Sequence, residues 1–173
     1  KNKVANYGIL VELDIERDFK KYEEFGALKG LEFQKDLEKI SFFAGGRTQT
    51  APAQRLVDFV DGRLSTNLNE TSYQPGLNSA PLHSLLPKII GSRLRKGFEG
   101  FGKKMHGYYT NEANIVGVES RTSSPVNIPR KEDLEHTEIE GLFPCGEGGG
   151  YAGGIVSAAM DGERCAEAAI AKI

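Results

Sequence analysis

Tryptophan is absent from this chain of 173 residues, and cysteine and methionine occur twice each. Cys145 and Cys165 make neither a disulfide framework nor a CxxC metal half-site, so two buried thiols in a reducing compartment and no metal are the expectation. No apolar run approaches the roughly 18–20 residues of a membrane-spanning helix. The polar start KNKVANYG also lacks the apolar region of a secretory leader, and a soluble, cytoplasmic protein without membrane contact is expected. An excess of one charge is missing too. Twenty-two basic residues stand against 24 acidic ones, with a formal net charge of -2 and a pI near 6.0, which argues against a dedicated nucleic-acid binder. The first residue is Lys rather than Met, so the natural start is expected elsewhere.

Glycine is plentiful, at 21 residues, and its placement carries information. The length suits one ordinary domain or two small ones. Tyr7–Asp14 (YGILVELD) reads as a buried strand from its short, partly β-branched apolar run. From Gly30 to Gly45, Phe33, Leu37, Ile40 and Ala44 recur at helical spacing, and Gly45-Gly46 ends the pattern. Pro52–Val60 fits a short helix or a strand, and Asp61–Pro81 is an irregular loop that wraps a surface. Leu82–Ile90 and Ser92–Met105 read as two helical segments divided by Gly91. The second has a basic face of Arg93, Arg95, Lys96, Lys103 and Lys104, more often a solvated face than a nucleic-acid site. Asn114–Val118 and Pro125–Ile128 read as short strands around a polar turn, and the most natural boundary lies near residue 130. The pattern as a whole predicts an α+β fold, with helices packed on a small mixed sheet and a last helix from about residue 153 to 171.

The informative segment begins at Gly141. Eight of the 21 glycines lie between Gly141 and Gly162, six of them in the nine residues Gly146–Gly154. Leu142 and Phe143 read as the end of a strand, and Ile155–Ile170 as an Ala-rich helix. A glycine-rich loop opening a helix lets backbone approach a ligand and aims free N–H groups and the positive dipole end at an anion or a carbonyl. A Walker A loop is excluded, because no lysine lies between Lys131 and Lys172. Gly148, Gly150 and Gly153 match GxGxxG, yet no second strand follows the helix to complete a dinucleotide-binding unit. A tight turn packed for its own sake, or a non-enzymatic phosphate- or nucleotide-binding module, would use the same glycines.

The segment GLFPCGEGGGYAGGIVSAAMDG, together with GVESRTSSPV, LEFQKDLE, APAQR and TNEA, resembles the C-terminal third of an uncharacterised bacterial FAD-dependent dehydrogenase family, often labelled NAD-utilising dehydrogenases. The likeness runs from about Tyr7 to Ala169, with a basic residue expected where Asn127 stands. It implies that the dinucleotide fingerprint for the ADP half of FAD lies in an N-terminal segment missing here. Residues 1–130 would form part of a substrate-side cap domain, and residues 131–173 the C-terminal return segment of the FAD-binding domain. The resemblance implies a flavin-dependent oxidoreductase passing hydride through flavin N5, with NAD(P)H as a possible co-substrate. By it, Gly146, Glu147, Gly149, Gly150, Tyr151, Gly153, Gly154 and Ile155 contact the cofactor. Glu147 would accept a hydrogen bond from the ribityl chain, and backbone N–H groups from Gly149 to Ile155 would face the pyrimidine edge or the pyrophosphate.

The substrate side is less defined. Arg121, with Thr122, Ser123 and Ser124, makes a donor cluster suited to a carboxylate or carbonyl of a small-molecule substrate, and Glu119 is the candidate base. His83, His106 and His136 stand in unrelated contexts and read as structural or surface residues. The terminal helix is apolar around most of its circumference, which implies cover on several sides. With the missing segment absent, a dimer through that helix or raised mobility is expected.

Overall fold

The computed structural model describes residues 4–172. Along them run α1 (Ile15–Asp18), a stretch of 3-10 turns (Lys20–Leu28), α2 (Lys29–Ala44), β1 (Ala51–Arg55), α3 (Leu56–Asp61), β2 (Leu77–Ser79), α4 (Leu82–Leu85), α5 (Lys88–Lys104), β3 (Asn114–Val116) and α6 (Ile155–Ile170). The fold is α+β, with helices on a three-stranded sheet of order β2-β1-β3 that is parallel on one side of β1 and antiparallel on the other. Two compact units emerge, one comprising residues up to Asp18 with Lys35–Val118, the other Phe19–Gln34 with Glu119 onward. Residues 1–3 and 173, the outer ends of the two segments read from the sequence, lie outside the described residues. Among the described residues, no helix is long and apolar enough to cross a membrane.

The first unit is built around β1. Pro52, Ala53 and Gln54 are buried in it. Proline is tolerated at this central position because only its carbonyl is engaged, by the Gly117 N–H at 3.0 Å. Pro52–Val60, ambiguous as a sequence, is a strand followed at once by a helix, with Arg55 extended at the junction. Leu56, Phe59 and Val60 of α3 turn inward, and the Phe59 ring meets Phe98 of α5 edge-on at 6.0 Å. Gly62, at φ 72°, ends α3 in the left-handed conformation that caps helices. Asp61–Pro81, expected to be irregular throughout, holds the short strand β2, because β1 offers it a parallel partner with Ala51 opposite Leu77, and the rest of the stretch after α3 is loop. Buried Ser65 ties it down, accepting from the Arg55 N–H and donating to the Asp58 carboxylate, each at 2.8 Å.

Two further expectations for this unit are corrected. The break between the helical segments falls at Leu86-Pro87, not at Gly91, which lies inside α5. Proline disfavours the helical region for the residue before it, and Leu86 is accordingly extended at ψ 144°. Tyr7–Asp14 is not a strand. Its backbone has no ladder to join. Ile9, Val11 and their neighbours instead lie along α5 at Leu94 and Phe101, around a cavity of about 260 Å³. Arg93 anchors the segment by donating to the Glu12 carbonyl at 2.5 Å.

In the second unit, Phe33 at the start of α2 takes Phe19 and Tyr22 edge-on at 4.8 and 5.7 Å. Buried Gln34 donates to the Ser120 carbonyl at 2.5 Å and so holds the turn of Glu119–Ser124. Pro125–Ile128 and Leu142–Phe143, both read as strands, are irregular. Each offers single backbone groups to a curved neighbour instead of a run of them to a straight one. Ile128 N–H reaches the Gly149 carbonyl at 3.1 Å, and the Leu142 carbonyl accepts from His136 N–H at 2.7 Å. The terminal helix stands where it was expected.

Candidate functional site: the glycine-rich turn before α6

The glycine-rich turn is organised from behind by one carboxylate. Asp161 lies on the inner side of α6, where Arg130 grips it fork-on-fork, Nη1 to Oδ2 at 2.9 Å and Nη2 to Oδ1 at 2.8 Å. The Gly146 N–H donates to the same Oδ2 at 2.9 Å, so the turn is fastened to the helix that follows it. Arg130 also donates to the Pro144 carbonyl at 2.8 Å, and its guanidinium lies 3.6 Å over the Tyr151 ring. The Arg130 hydrogen bonds, then that from Gly146, pull the Asp161 carboxyl down to about 2. Burial pushes the neighbouring Cys165 thiol up. Cys165 is buried as expected, but Cys145 is exposed, because the turn carries it outward just before Gly146.

Backbone geometry explains the glycines at two positions. Gly150 has φ 83°, and a Cβ on it would fall 2.7 Å from the Val126 carbonyl oxygen. A Cβ on Gly149 would lie 3.0 Å from both the N and the O of Cys145. The turn closes through Gly150 N–H to the Glu147 carbonyl at 2.9 Å and Tyr151 N–H to the Gly146 carbonyl at 3.0 Å. Asn127, standing where a basic residue was expected, donates its side-chain amide to the Gly150 carbonyl at 3.0 Å.

These bonds sort the residues picked out by the sequence. Gly146 and Gly149 are buried within the turn, and Tyr151 is bound inward, its hydroxyl on the Ile128 carbonyl at 2.7 Å. The amides of Gly149, Gly150 and Tyr151 are used by the turn, and that of Gly154 donates to Ser157 Oγ at 3.2 Å. Glu147, Gly148, Gly153, Gly154 and Ile155 form the exposed outer face. The N–H groups of Ala152, Gly153, Ile155 and Val156 make no hydrogen bond among the described residues. They stand at the positive end of a sixteen-residue helix, an arrangement that accepts an anion or an electron-rich carbonyl. Glu119 and Arg121 are both exposed on the turn that Gln34 holds.

Sequence reasoning missed Arg130 and Asp161. The available signal was an acid set among small and apolar residues in AAMDGERCAEAA, a context that demands a cation facing it. Of the histidines, His106 is exposed, His136 accepts from the N–H groups of Glu138 and Ile139 at 3.0 Å each, and His83 packs on Gln54. Among the described residues, no group of three or more His, Cys, Asp or Glu side chains could hold a metal ion.

Comparison with known proteins adds a family. Residues 1–122 match the family described as FAD-dependent protein, C-terminal domain-like. An uncharacterized protein of Clostridium beijerinckii is similar to this chain, 41% identical over 170 residues, which cover 97% of the chain and 31% of that protein. The chain therefore spans less than a third of its relative's length. The family match stops before the glycine-rich turn, whereas the likeness to the relative runs over nearly the whole chain. With well over half of its residues matched, the chain belongs to the FAD-dependent protein, C-terminal domain-like family.

Proposed function

We propose that this chain is the C-terminal portion of a flavin-dependent oxidoreductase, and that the turn before α6 is its contribution to the FAD site. The observation that carries this reading is the set of unpartnered amides at Ala152, Gly153, Ile155 and Val156, in a family of FAD-dependent proteins. The residues present fit the cofactor. A Cβ added at Gly148 or Gly153 would meet nothing within 4 Å, so the outer face is bare backbone that a flat or anionic group can approach.

In this reading Glu147 accepts a hydrogen bond from the ribityl chain, and the free amides face the pyrimidine edge or the pyrophosphate. Bound FAD supplies hydride transfer through N5. The positive end of α6 favours negative charge beside it, while Arg130 and Asp161 keep the turn in shape from behind. Arg121 orients a small-molecule substrate and Glu119 serves as its base. Residues 1–130 belong to the substrate side, and residues 131–173 return to the FAD-binding domain. That domain lies in the remainder of the longer protein and covers the outer stripe of α6. NAD(P)H is the electron donor or acceptor to assay first.

The test is flavin absorbance of this chain and of the longer polypeptide that contains it. One helix end contributes only about 0.3–1 kcal/mol at an exposed site, so the chain alone binds FAD weakly or not at all. The longer polypeptide retains stoichiometric flavin, and Glu147→Gln in it weakens FAD about tenfold, the loss of ~1.4 kcal/mol from one hydrogen bond to a charged group. A longer polypeptide that binds ADP or phosphate but gains nothing from the isoalloxazine half would favour the non-enzymatic nucleotide-binding module and end the flavin reading.

A further inference from the structure

Tyr7–Asp14, in the first unit, has the composition of a strand and no ladder, yet it keeps one property of a strand. From Ile9 to Asp14 burial alternates residue by residue. Ile9, Val11 and Leu13 are half-buried, whereas Leu10, Glu12 and Asp14 are exposed. A period of two is the mark of extended backbone, in which successive residues also turn their N–H and C=O groups to opposite edges.

The two edges are not equivalent. On the edge of the even-numbered residues, the Glu12 carbonyl accepts from Arg93 at 2.5 Å and the Asp14 N–H donates to Asp18 Oδ2 at 2.9 Å. Asp18 is itself fixed, its side chain only 1% exposed and its carboxylate bound by Arg17 and Arg93 at 2.7 and 3.2 Å. This edge is therefore tied to α1 and α5. The N–H and C=O groups of Ile9, Val11 and Leu13, which belong to the other edge, make no hydrogen bond among the described residues. An extended segment anchored along one edge and bare along the other is an edge strand, and natural proteins cover such edges.

We propose that the bare edge of Ile9, Val11 and Leu13 receives a β-strand from the remainder of the longer protein, joined to it by main-chain hydrogen bonds. The likeness to the relative takes in 170 residues of this chain and only 31% of that protein, so most of the backbone able to lie alongside belongs to the remainder. The exposed face carries Leu10, 68% exposed, and then Glu12 and Asp14. It selects a strand with an apolar residue beside Leu10 and lysine or arginine beside the two acids. A second copy of this chain fits less well. Parallel pairing in register sets Glu12 beside Glu12 and Asp14 beside Asp14, and antiparallel pairing about Val11 sets Glu12 against Leu10. The proposal rests on the reading of this chain as part of a longer polypeptide and needs no flavin.

Amide hydrogen exchange, resolved to single residues in this chain and in the longer polypeptide that contains it, tests the pairing. The amides of Ile9, Val11 and Leu13 should exchange about a hundredfold slower in the longer polypeptide, whereas those of Leu10 and Glu12, on the anchored edge, should change by less than about tenfold. Val11→Pro, which removes the central donor, should return Ile9 and Leu13 in the longer polypeptide to the rates of the chain alone. The wild-type comparison stands by itself if the proline variant fails to fold. Flavin absorbance of the same sample is a separate readout, and protection without retained flavin would end the flavin reading while supporting the pairing. Equal exchange in the two polypeptides, protection of Leu10 and Glu12 in place of Ile9, Val11 and Leu13, or protection in the chain alone that grows with its concentration would each overturn the proposal.

Discussion

Replacing Asp161 with asparagine removes the anion to which Arg130 is bound fork-on-fork while keeping the shape of the side chain. Both side chains are about 9% exposed, so the guanidinium left behind is a nearly buried charge without its counter-ion. Breaking such a pair from one side costs about 3–5 kcal/mol, a large part of the 5–15 kcal/mol that holds a typical domain. The Gly146 N–H keeps an acceptor of lower charge, so the loosening reaches the turn as well as the helix. Arg130→Met should cost as much or more, since it also strips the Pro144 carbonyl of its donor and the Tyr151 ring of its cation. The double variant Arg130→Met, Asp161→Leu should be less damaged than the sum of the singles, because neither charge is then stranded. Urea unfolding followed by circular dichroism measures all three. Hydrogen exchange of the α6 amides locates the effect. A loss below about 0.5 kcal/mol for Asp161→Asn, or strict additivity in the double variant, would refute the reasoning, for it would make the pair no better than a solvated one.

Acid should act through the same carboxylate. Asp161 titrates at about 2 when folded against an ordinary 3.8, so between those values the unfolded chain binds more protons. Its contribution is present above the higher value and lost as pH falls through the lower, and a denaturation series in which Asp161→Asn flattens that decline checks the sign. Gly150→Ala should destabilise by about 1–3 kcal/mol, from its positive φ and the Val126 carbonyl in the way, whereas Gly148→Ala should stay within about 0.5 kcal/mol. Equal thermal unfolding of the two variants would count against the turn described. Sedimentation should detect self-association of the chain through the outer face of α6, where Ile155, Val156, Met160 and Ile170 are 93, 72, 60 and 70% exposed. Met160→Lys should abolish it, and a strict monomer at high concentration with slow α6 exchange would contradict it.

Periodicity and punctuation were legible in the sequence wherever a local rule decided the outcome. The amphipathic spacing of α2 with its Gly45-Gly46 stop and the Ala-rich α6 stand where those signals put them, whereas Asp61–Pro81, read as loop throughout, hides β2, a strand that only its pairing with β1 reveals. The glycine-rich turn was legible because six glycines in nine residues exceed what chain reversal needs. Pairing partners were a different matter. YGILVELD has the composition of a strand, yet a strand exists only where another backbone lies alongside, and here a helix does. Leu82–Met105 reads as two helices divided at Gly91, yet the break falls at Pro87, because proline's constraint on the preceding residue is steric, whereas a helix tolerates glycine at some cost. Arg130 and Asp161, 31 positions apart, gave no local sign of one another. Their pairing is a long-range contact made only when the chain folds the turn onto α6, and the same holds for the contact of His83 with Gln54, 29 positions away.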